Sequence, residues 1–97
     1  MAVKAYLEIT LFVKPENRAA AAAVYSKYRQ PFLDTIPGAE TKQLLVCDEN
    51  VQVLHGFDSK EHARAYLQSK LFTGSVAPGL SPLWFKDPVI TVYEVAA

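Results

Sequence analysis

The chain is poor in cysteine and has no excess of charge of either sign, and both absences exclude classes of function. The single cysteine among 97 residues, Cys47, excludes an internal disulfide and a cysteine-based zinc site. The 10 Lys and Arg residues balance the 10 Asp and Glu residues, so the formal net charge is +0. Proteins that bind nucleic acid or an anionic membrane usually carry a basic excess. We therefore expect no nucleic-acid partner.

Long apolar runs are also absent. No stretch approaches the roughly 20 apolar residues of a membrane helix, and the sequence after Met1 alternates instead of forming the apolar core of a signal peptide. We expect a cytoplasmic protein without a membrane partner. Hydrophobic residues make up 51% of the chain and charged residues 21%, which favours a folded structure. The length predicts a single domain, residues 1–97.

The first half of the chain predicts a strand followed by a helix. Every second residue from Val3 to Val13 is apolar, and this alternation over residues 3–14 is typical of a strand with one buried face. Pro15 suits the first turn of a helix, and the run Ala19–Ala23 consists of strong helix formers. Pro31 is expected to kink this helix or to begin its last segment.

The second half of the chain predicts two strands, a helix and a last strand. The elements are a turn at Ile36–Ala39, strands at about Glu40–Cys47 and Val51–Phe57, a helix from about Lys60 to Leu71 with Ser59 as its N-cap, and a strand at Pro88–Val95. The order β-α-β-β-α-β is that of the ferredoxin-like split β-α-β fold. We therefore predict an α+β fold, in which a four-stranded antiparallel sheet carries two helices on one face.

Two apolar surfaces remain unexplained by this arrangement. The first strand offers Tyr6 and Phe12 to the sheet face without helices, and the second strand is apolar at both Leu44 and Leu45, which predicts a homodimer with two sheets packed face to face. An ordinary solvated sheet with scattered aromatic residues is the alternative. The Gly- and Pro-rich segment Leu71–Phe85 is predicted to be non-helical. Its apolar side chains would cover the dimer edge or the mouth of a pocket.

Four stretches of the chain together resemble the antibiotic biosynthesis monooxygenase superfamily of dimeric α+β barrels. They are AYLEITLFVKPE, the PGA turn, GFDSKEHARAYLQSKLF and VAPGLSPLWFKDPVITVYEV. The resemblance covers nearly the whole chain and implies a pocket between sheet and helices in each subunit. Some members oxidise aromatic polyketides to quinones with molecular oxygen and without a cofactor.

This chain departs from two patterns of that superfamily. The cofactor-free oxygenases carry an Asn and a Trp on the third strand where this chain has Val53 and Phe57. Haem-degrading members carry an axial His where this chain has Val76. The resemblance therefore implies no haem, and we expect no cofactor.

The candidate catalytic residue is His55, which shares a strand face with Val51, Val53 and Phe57. An imidazole in an apolar wall is a candidate general base near neutral pH. The alternative is a core histidine that bonds a backbone carbonyl or a tyrosine. Further candidates for the pocket lining are Phe57, Tyr66, Trp84, Tyr28 and Tyr93.

Other polar residues carry weaker predictions. His62 is expected at the surface, and His55 and His62 do not form a metal-binding pattern. Glu8 is expected to pair with Lys4, Lys42 or a lysine of a second copy. Cys47 is expected to be a small buried hydrophobic residue.

Three functional hypotheses follow. The first is a small-molecule enzyme that resembles the cofactor-independent monooxygenases and acts on an apolar or aromatic ligand, with His55 as the base. The second is a non-catalytic binding or regulatory module of the same fold. An isomerase of the same superfamily is a further alternative. The third class is RNA binding on the sheet face without helices, against which the neutral charge and the absence of a GFGF-like pattern argue.

Overall fold

The strands and helices follow the predicted order. The computed structural model describes residues 2–97. Its strands are β1 (Ala5–Val13), β2 (Ala39–Val46), β3 (Val51–Phe57) and β4 (Trp84–Glu94), and its helices are α1 (Arg18–Thr35), α2 (Lys60–Tyr66) and α3 (Ala77–Leu80). All neighbouring strands are antiparallel, in the order β2-β3-β1-β4. The predicted α+β fold is confirmed.

The core lies between the helices and one face of the sheet. Alternation along β1 buries the side chains of Leu7, Ile9 and Leu11 on that face. Phe32 of α1 and Tyr66 of α2 pack against them and are fully buried. Each such large side chain contributes about 1.5–3 kcal/mol through removal from water. The alternating pattern therefore places the helices on one face of the sheet.

Two proline positions differ in their effect on α1. Pro15 begins a short 3₁₀ turn, Pro15–Asn17, that leads into the helix, as its missing N–H allows. Pro31 does not end the helix, which continues to Thr35. The Thr35 hydroxyl donates to the Pro31 carbonyl at 2.7 Å, so the chain after the proline keeps a bond back to the preceding turn.

The segment between α2 and β4 is helical, and the prediction of a non-helical segment is wrong. It contains a π-type turn (Phe72–Val76), α3 and a 3₁₀ turn (Ser81–Leu83). Its prolines lie in the first turns of the short helices, where an N–H is not needed. Consequently α2 ends at Tyr66, earlier than predicted, and β4 begins at Trp84, earlier than predicted. We call residues 72–83 the cover.

The turn before β2 requires a glycine. Gly38 has a φ of +79°, which favours glycine, and a Cβ there would collide with Asp58 and His62. The Asp58 N–H donates to the Gly38 carbonyl at 2.9 Å. This bond ties the turn to the end of β3.

The sheet face without helices carries several exposed apolar side chains among polar ones such as Glu8 and Gln52. Tyr6 is paired with Tyr93 there, and Leu45 and Val89 are 43% and 52% exposed. Leu44 lies on the other face, so Leu45 is the residue of β2 that this face receives. Together with Phe12, Leu54 and Phe85, these residues form what we call the open face.

The predicted ion pair between Glu8 and Lys42 can be tested by the sheet face on which each residue lies. Glu8 pairs in register with Leu54 and lies on the open face. Lys42 lies on the helix-covered face, opposite His55. The predicted pairing of Glu8 with Lys42 is therefore wrong. No helix in residues 2–97 combines the length and apolarity that a membrane crossing needs.

Candidate functional site

A cavity of about 180 Å³ lies between the sheet, α1 and the cover. Its walls are almost entirely apolar. The sheet contributes Ile9, Leu11, Leu44, Val51, Val53, Pro88 and Ile90, while the helical side contributes Ala21, Val24, Tyr25, Phe72, Val76, Ala77 and Leu80. Trp84, Lys42 and His55 complete the lining. Apolar walls with a few polar groups are typical of a small-molecule site.

Lys42 is a buried cation at this cavity. Its side chain leaves the edge strand β2 on the helix-covered face and is only 3% exposed. The Nζ atom lies 5.5 Å from the ring centre of Tyr25 and 5.0 Å from that of Phe32. Burial lowers the pKa of Lys42 from 10.5 to about 8, and the positive charge of Arg29 adds to this effect.

A hydrogen bond fixes the strand that carries Lys42. The Tyr25 hydroxyl donates to the Lys42 carbonyl oxygen at 2.8 Å and joins α1 to β2. This bond involves the backbone of Lys42 and not its ammonium group. The ion pairs within residues 2–97, Lys60–Glu94 and Asp58–His62, do not include Lys42 either.

His55 lies beside Lys42 on β3 and is held as a neutral imidazole. Its Nδ1 lies 2.9 Å from the Leu7 carbonyl oxygen, which can only accept, so Nδ1 carries the hydrogen. Burial lowers the pKa of His55 to about 3, and the Lys42 charge contributes to this lowering. The structure therefore contradicts the expectation of a general base whose pKa lies near neutrality. The Nε2 atom of the neutral ring keeps its lone pair.

Aromatic rings pack against the imidazole of His55. The ring centre of Phe32 lies 5.3 Å from His55, 5.6 Å from Phe57 and 5.0 Å from Tyr66. Tyr66 is buried, and its hydroxyl oxygen has no hydrogen-bond partner within residues 2–97. Burial raises the pKa of Tyr66. This cluster holds the imidazole in place without supplying a second polar contact.

The predicted pocket residues divide into three groups. Trp84 lines the cavity together with His55. Phe57 and Tyr66 lie in the aromatic cluster next to it. Tyr28 packs at the edge of the core with Lys27 over its ring, and Tyr93 lies on the open face with half of its surface exposed. Neither Tyr28 nor Tyr93 contributes to the cavity lining in this structure.

Sequence reasoning missed Lys42 as a site residue. The available signal was register: the alternation of β2 places Lys42 and Leu44 on one face, and antiparallel pairing sets Lys42 opposite His55. The run of two leucines in β2 left this alternation ambiguous. The cavity lining settles it.

Two further predicted residues lie away from the cavity. Cys47 is exposed, with its sulfur 3.3 Å from the Asn50 side-chain oxygen, so the prediction of a buried cysteine is wrong. It follows the last residue of β2 and belongs to a loop, where no core exists to bury it. His62 is half-exposed and lies 2.6 Å from the Asp58 carboxylate, near the surface as predicted. In the described part of the chain, no three His, Cys, Asp or Glu residues cluster as metal ligands would.

This architecture is the α+β fold of the antibiotic biosynthesis monooxygenases. A Caulobacter crescentus protein provisionally named as one superposes with a TM-score of 0.82 at 18% identity, over 98% of this chain and 92% of that one. A Streptomyces coelicolor monooxygenase in complex with nanaomycin D gives a TM-score of 0.82 at 14% identity, over 98% and 89%. A Nitrosomonas europaea protein of unknown function gives 0.79 at 21% identity, over 98% and 91%.

At these identities the similarity concerns the fold. No family model matches the chain, and no curated protein matches it. The fold relatives therefore define the class of architecture, and the chemistry has to be argued from the residues of this cavity.

Proposed function

We propose that the protein is a small-molecule enzyme that binds an apolar or aromatic ligand in the cavity and oxidises it with molecular oxygen, without a cofactor. The observation that carries this proposal is the cavity itself. Its walls are apolar, and the ionisable side chains among the described residues that line it are those of Tyr25, Lys42 and His55. The fold relatives that bear the name of monooxygenases support the same class of activity.

The proposed reaction starts with proton loss from a phenol or enol of the ligand. The resulting carbanion character allows addition of O₂ to a ring carbon, and loss of water then leaves a quinone. Overall, one C–H and one O–H bond of the ligand break, the attacked carbon gains a C=O bond, and the phenolic C–O bond becomes the second C=O. The other oxygen atom of O₂ leaves as water with the two hydrogens. The oxidant is O₂, and the ligand supplies all the electrons.

His55 and the apolar walls of the cavity would have different roles in this reaction. Nε2 of His55 is an acceptor for the proton, but a pKa of about 3 makes the imidazole a weak base. An oxyanion formed beside it would stabilise the imidazolium by direct charge pairing. The apolar walls exclude water and so protect the reactive intermediate from hydrolysis.

A test of this function uses 1-naphthol, a fused-ring phenol, as the probe. Oxygen consumption and the formation of naphthoquinone, with one oxygen gained and two hydrogens lost, are followed with a dissolved-oxygen electrode and mass spectrometry. We expect turnover by the wild type and none by Ala77→Phe, which fills the cavity from the cover. Binding of the probe without oxygen consumption would contradict the oxygenase activity.

His55 favours a second candidate function, a non-catalytic module that binds small molecules. Its bond to the Leu7 carbonyl and its burial are also what a purely structural core histidine shows. Replacement by Gln decides between the two. An enzyme with His55 as base loses turnover with unchanged binding of the probe, whereas a structural His55 loses stability instead.

The open face supports the proposal of a homodimer with two sheets packed face to face. Its exposed members include Phe85 at 59% and Tyr93 at 51%. Exposed aromatic and aliphatic side chains that gather on one sheet face favour an interface. The single-domain organisation of residues 1–97, the cytoplasmic location and the absence of a nucleic-acid partner remain predictions from the sequence.

A further inference from the structure

A buried lysine without an acidic partner is unusual, and Lys42 is one. Lysine side chains are almost never fully buried unless they are paired. Lys42 is 3% exposed, and neither ion pair of the described chain includes it. Its ammonium group meets the faces of two aromatic rings, an attraction of about 0.5–2 kcal/mol each, which compensates only part of the lost hydration.

The charged groups around Lys42 add no negative charge. Arg29 of α1 opposes the ammonium, and His55 of β3 is a neutral imidazole. Tyr25 of α1 uses its hydroxyl on the backbone of β2, and burial keeps Tyr66 of α2 protonated. None of these four groups carries a negative charge.

The ammonium is nevertheless mostly protonated at neutral pH. With a pKa of about 8, roughly nine lysines in ten carry the charge at about pH 7. A neutral apolar ligand in the cavity would remove the remaining water from this charge and increase its desolvation penalty. A ligand with an oxyanion would instead pair with it in an environment where charge attraction is strong.

We propose that the ligand of this cavity is an apolar, ring-sized molecule with one anionic oxygen, and that Lys42 is the residue that recognises this oxygen. The inference rests on the proposed small-molecule site and names its ligand class. A carboxylate, a phenolate and an enolate share the required chemistry. For the proposed oxidation, the same contact would stabilise the deprotonated ligand before it meets O₂.

The test compares a matched pair of probes, 2-naphthoate and 2-naphthamide, which share the ring and differ in charge. Binding is measured by isothermal titration calorimetry and by amide shifts in NMR spectra. At about pH 7 we expect the wild type to bind the anion at least tenfold more tightly than the amide. In Lys42→Met this preference disappears while the amide still binds. Lys70→Met, which changes an exposed lysine, keeps the preference.

The pH dependence of naphthoate binding gives a second, independent test of the role of Lys42. The naphthoate stays ionised above about pH 6, so its affinity for the wild type should fall as the pH rises above about 8, where free Lys42 loses its proton. Lys42→Arg keeps its charge in this range, and its affinity for the anion should stay constant.

The outcomes separate the two proposals. Equal affinities for both probes in the wild type, unchanged in Lys42→Met, overturn the role of Lys42 and leave the small-molecule site intact. Failure of both probes to bind the folded wild type overturns the site and the ligand class together. A preference for the anion that survives in Lys42→Met assigns the recognition to another group and also overturns the inference.

Discussion

Lys42 makes the stability of the protein depend on pH in an unusual direction. Its pKa falls from 10.5 in the unfolded chain to about 8 in the folded protein. At 1.36 kcal/mol per pKa unit, this difference corresponds to about 3 kcal/mol. The folded state bears this penalty fully below about pH 8, where the lysine is charged in both states.

Between about pH 8 and 10.5 the folded protein has released this proton and the unfolded chain has not. The unfolded state then binds more protons, so the free energy of unfolding rises with pH across this window. Lys42→Met removes the charge and keeps much of the side-chain volume. We expect the variant to be more stable than the wild type by up to about 3 kcal/mol at about pH 7, and by progressively less towards pH 10.5.

The measurement is urea-induced unfolding of the wild type, Lys42→Met and Lys70→Met at half-unit pH steps from about pH 6.5 to 10.5. The differences between curves cancel the titration of the tyrosines. Lys70→Met should follow the wild type because its lysine is exposed. Curves for Lys42→Met that run parallel to the wild type across the window would refute the reasoning, since a lysine with access to water carries no such penalty.

Three further predictions concern other residues. The free energy of unfolding of the wild type should fall by about 3 kcal/mol between about pH 6.5 and 4, because His55 binds a proton in the unfolded chain but not in the folded protein. His55→Gln should lack this fall, and urea unfolding of both proteins at several pH values checks the slope. Tyr66→Phe should raise the free energy of unfolding by about 1 kcal/mol, because it removes a buried hydroxyl without a partner; a loss of stability in thermal or urea unfolding would show that the hydroxyl is satisfied in solution. Val89→Glu on the open face should convert the proposed dimer to a monomer in native mass spectrometry, while Val46→Glu, at a valine that is also exposed but lies on the other side of the sheet, should leave it dimeric; a wild type that is already monomeric would contradict the dimer.

The regular elements could be predicted from the sequence because local patterns determine them. The alternation in β1 and β3 fixed both the strands and the side of His55, and the capping of α2 by Ser59, which accepts from the His62 N–H at 3.1 Å, was visible in the residue types. The cover could not be predicted in the same way. Its prolines and glycines suggest a loop, but Pro78 and Pro82 occupy first-turn positions and Gly79 lies close to Val24, which only tertiary packing reveals.

The candidate site was predicted in part for a similar reason. His55 and Trp84 were found because an isolated polar or large aromatic residue stands out in an apolar pattern. Lys42 was missed because a lysine in an edge strand normally faces water, and its burial depends on strand register and on where α1 lies. The low pKa of His55 likewise results from its burial in the folded protein, and the sequence pattern did not predict how complete this burial is.

The alternation of β1 has a consequence for how this protein can change. Leu7, Ile9 and Leu11 face the helices, while Tyr6 and Phe12 lie on the open face, with the two sets interleaved along the same nine residues. A substitution at one position therefore alters the interior or the outer surface, with little effect on the other. Ligand preference and self-association can in this way be varied separately within one strand, and a collection of single substitutions along β1 should separate into two groups with distinct phenotypes.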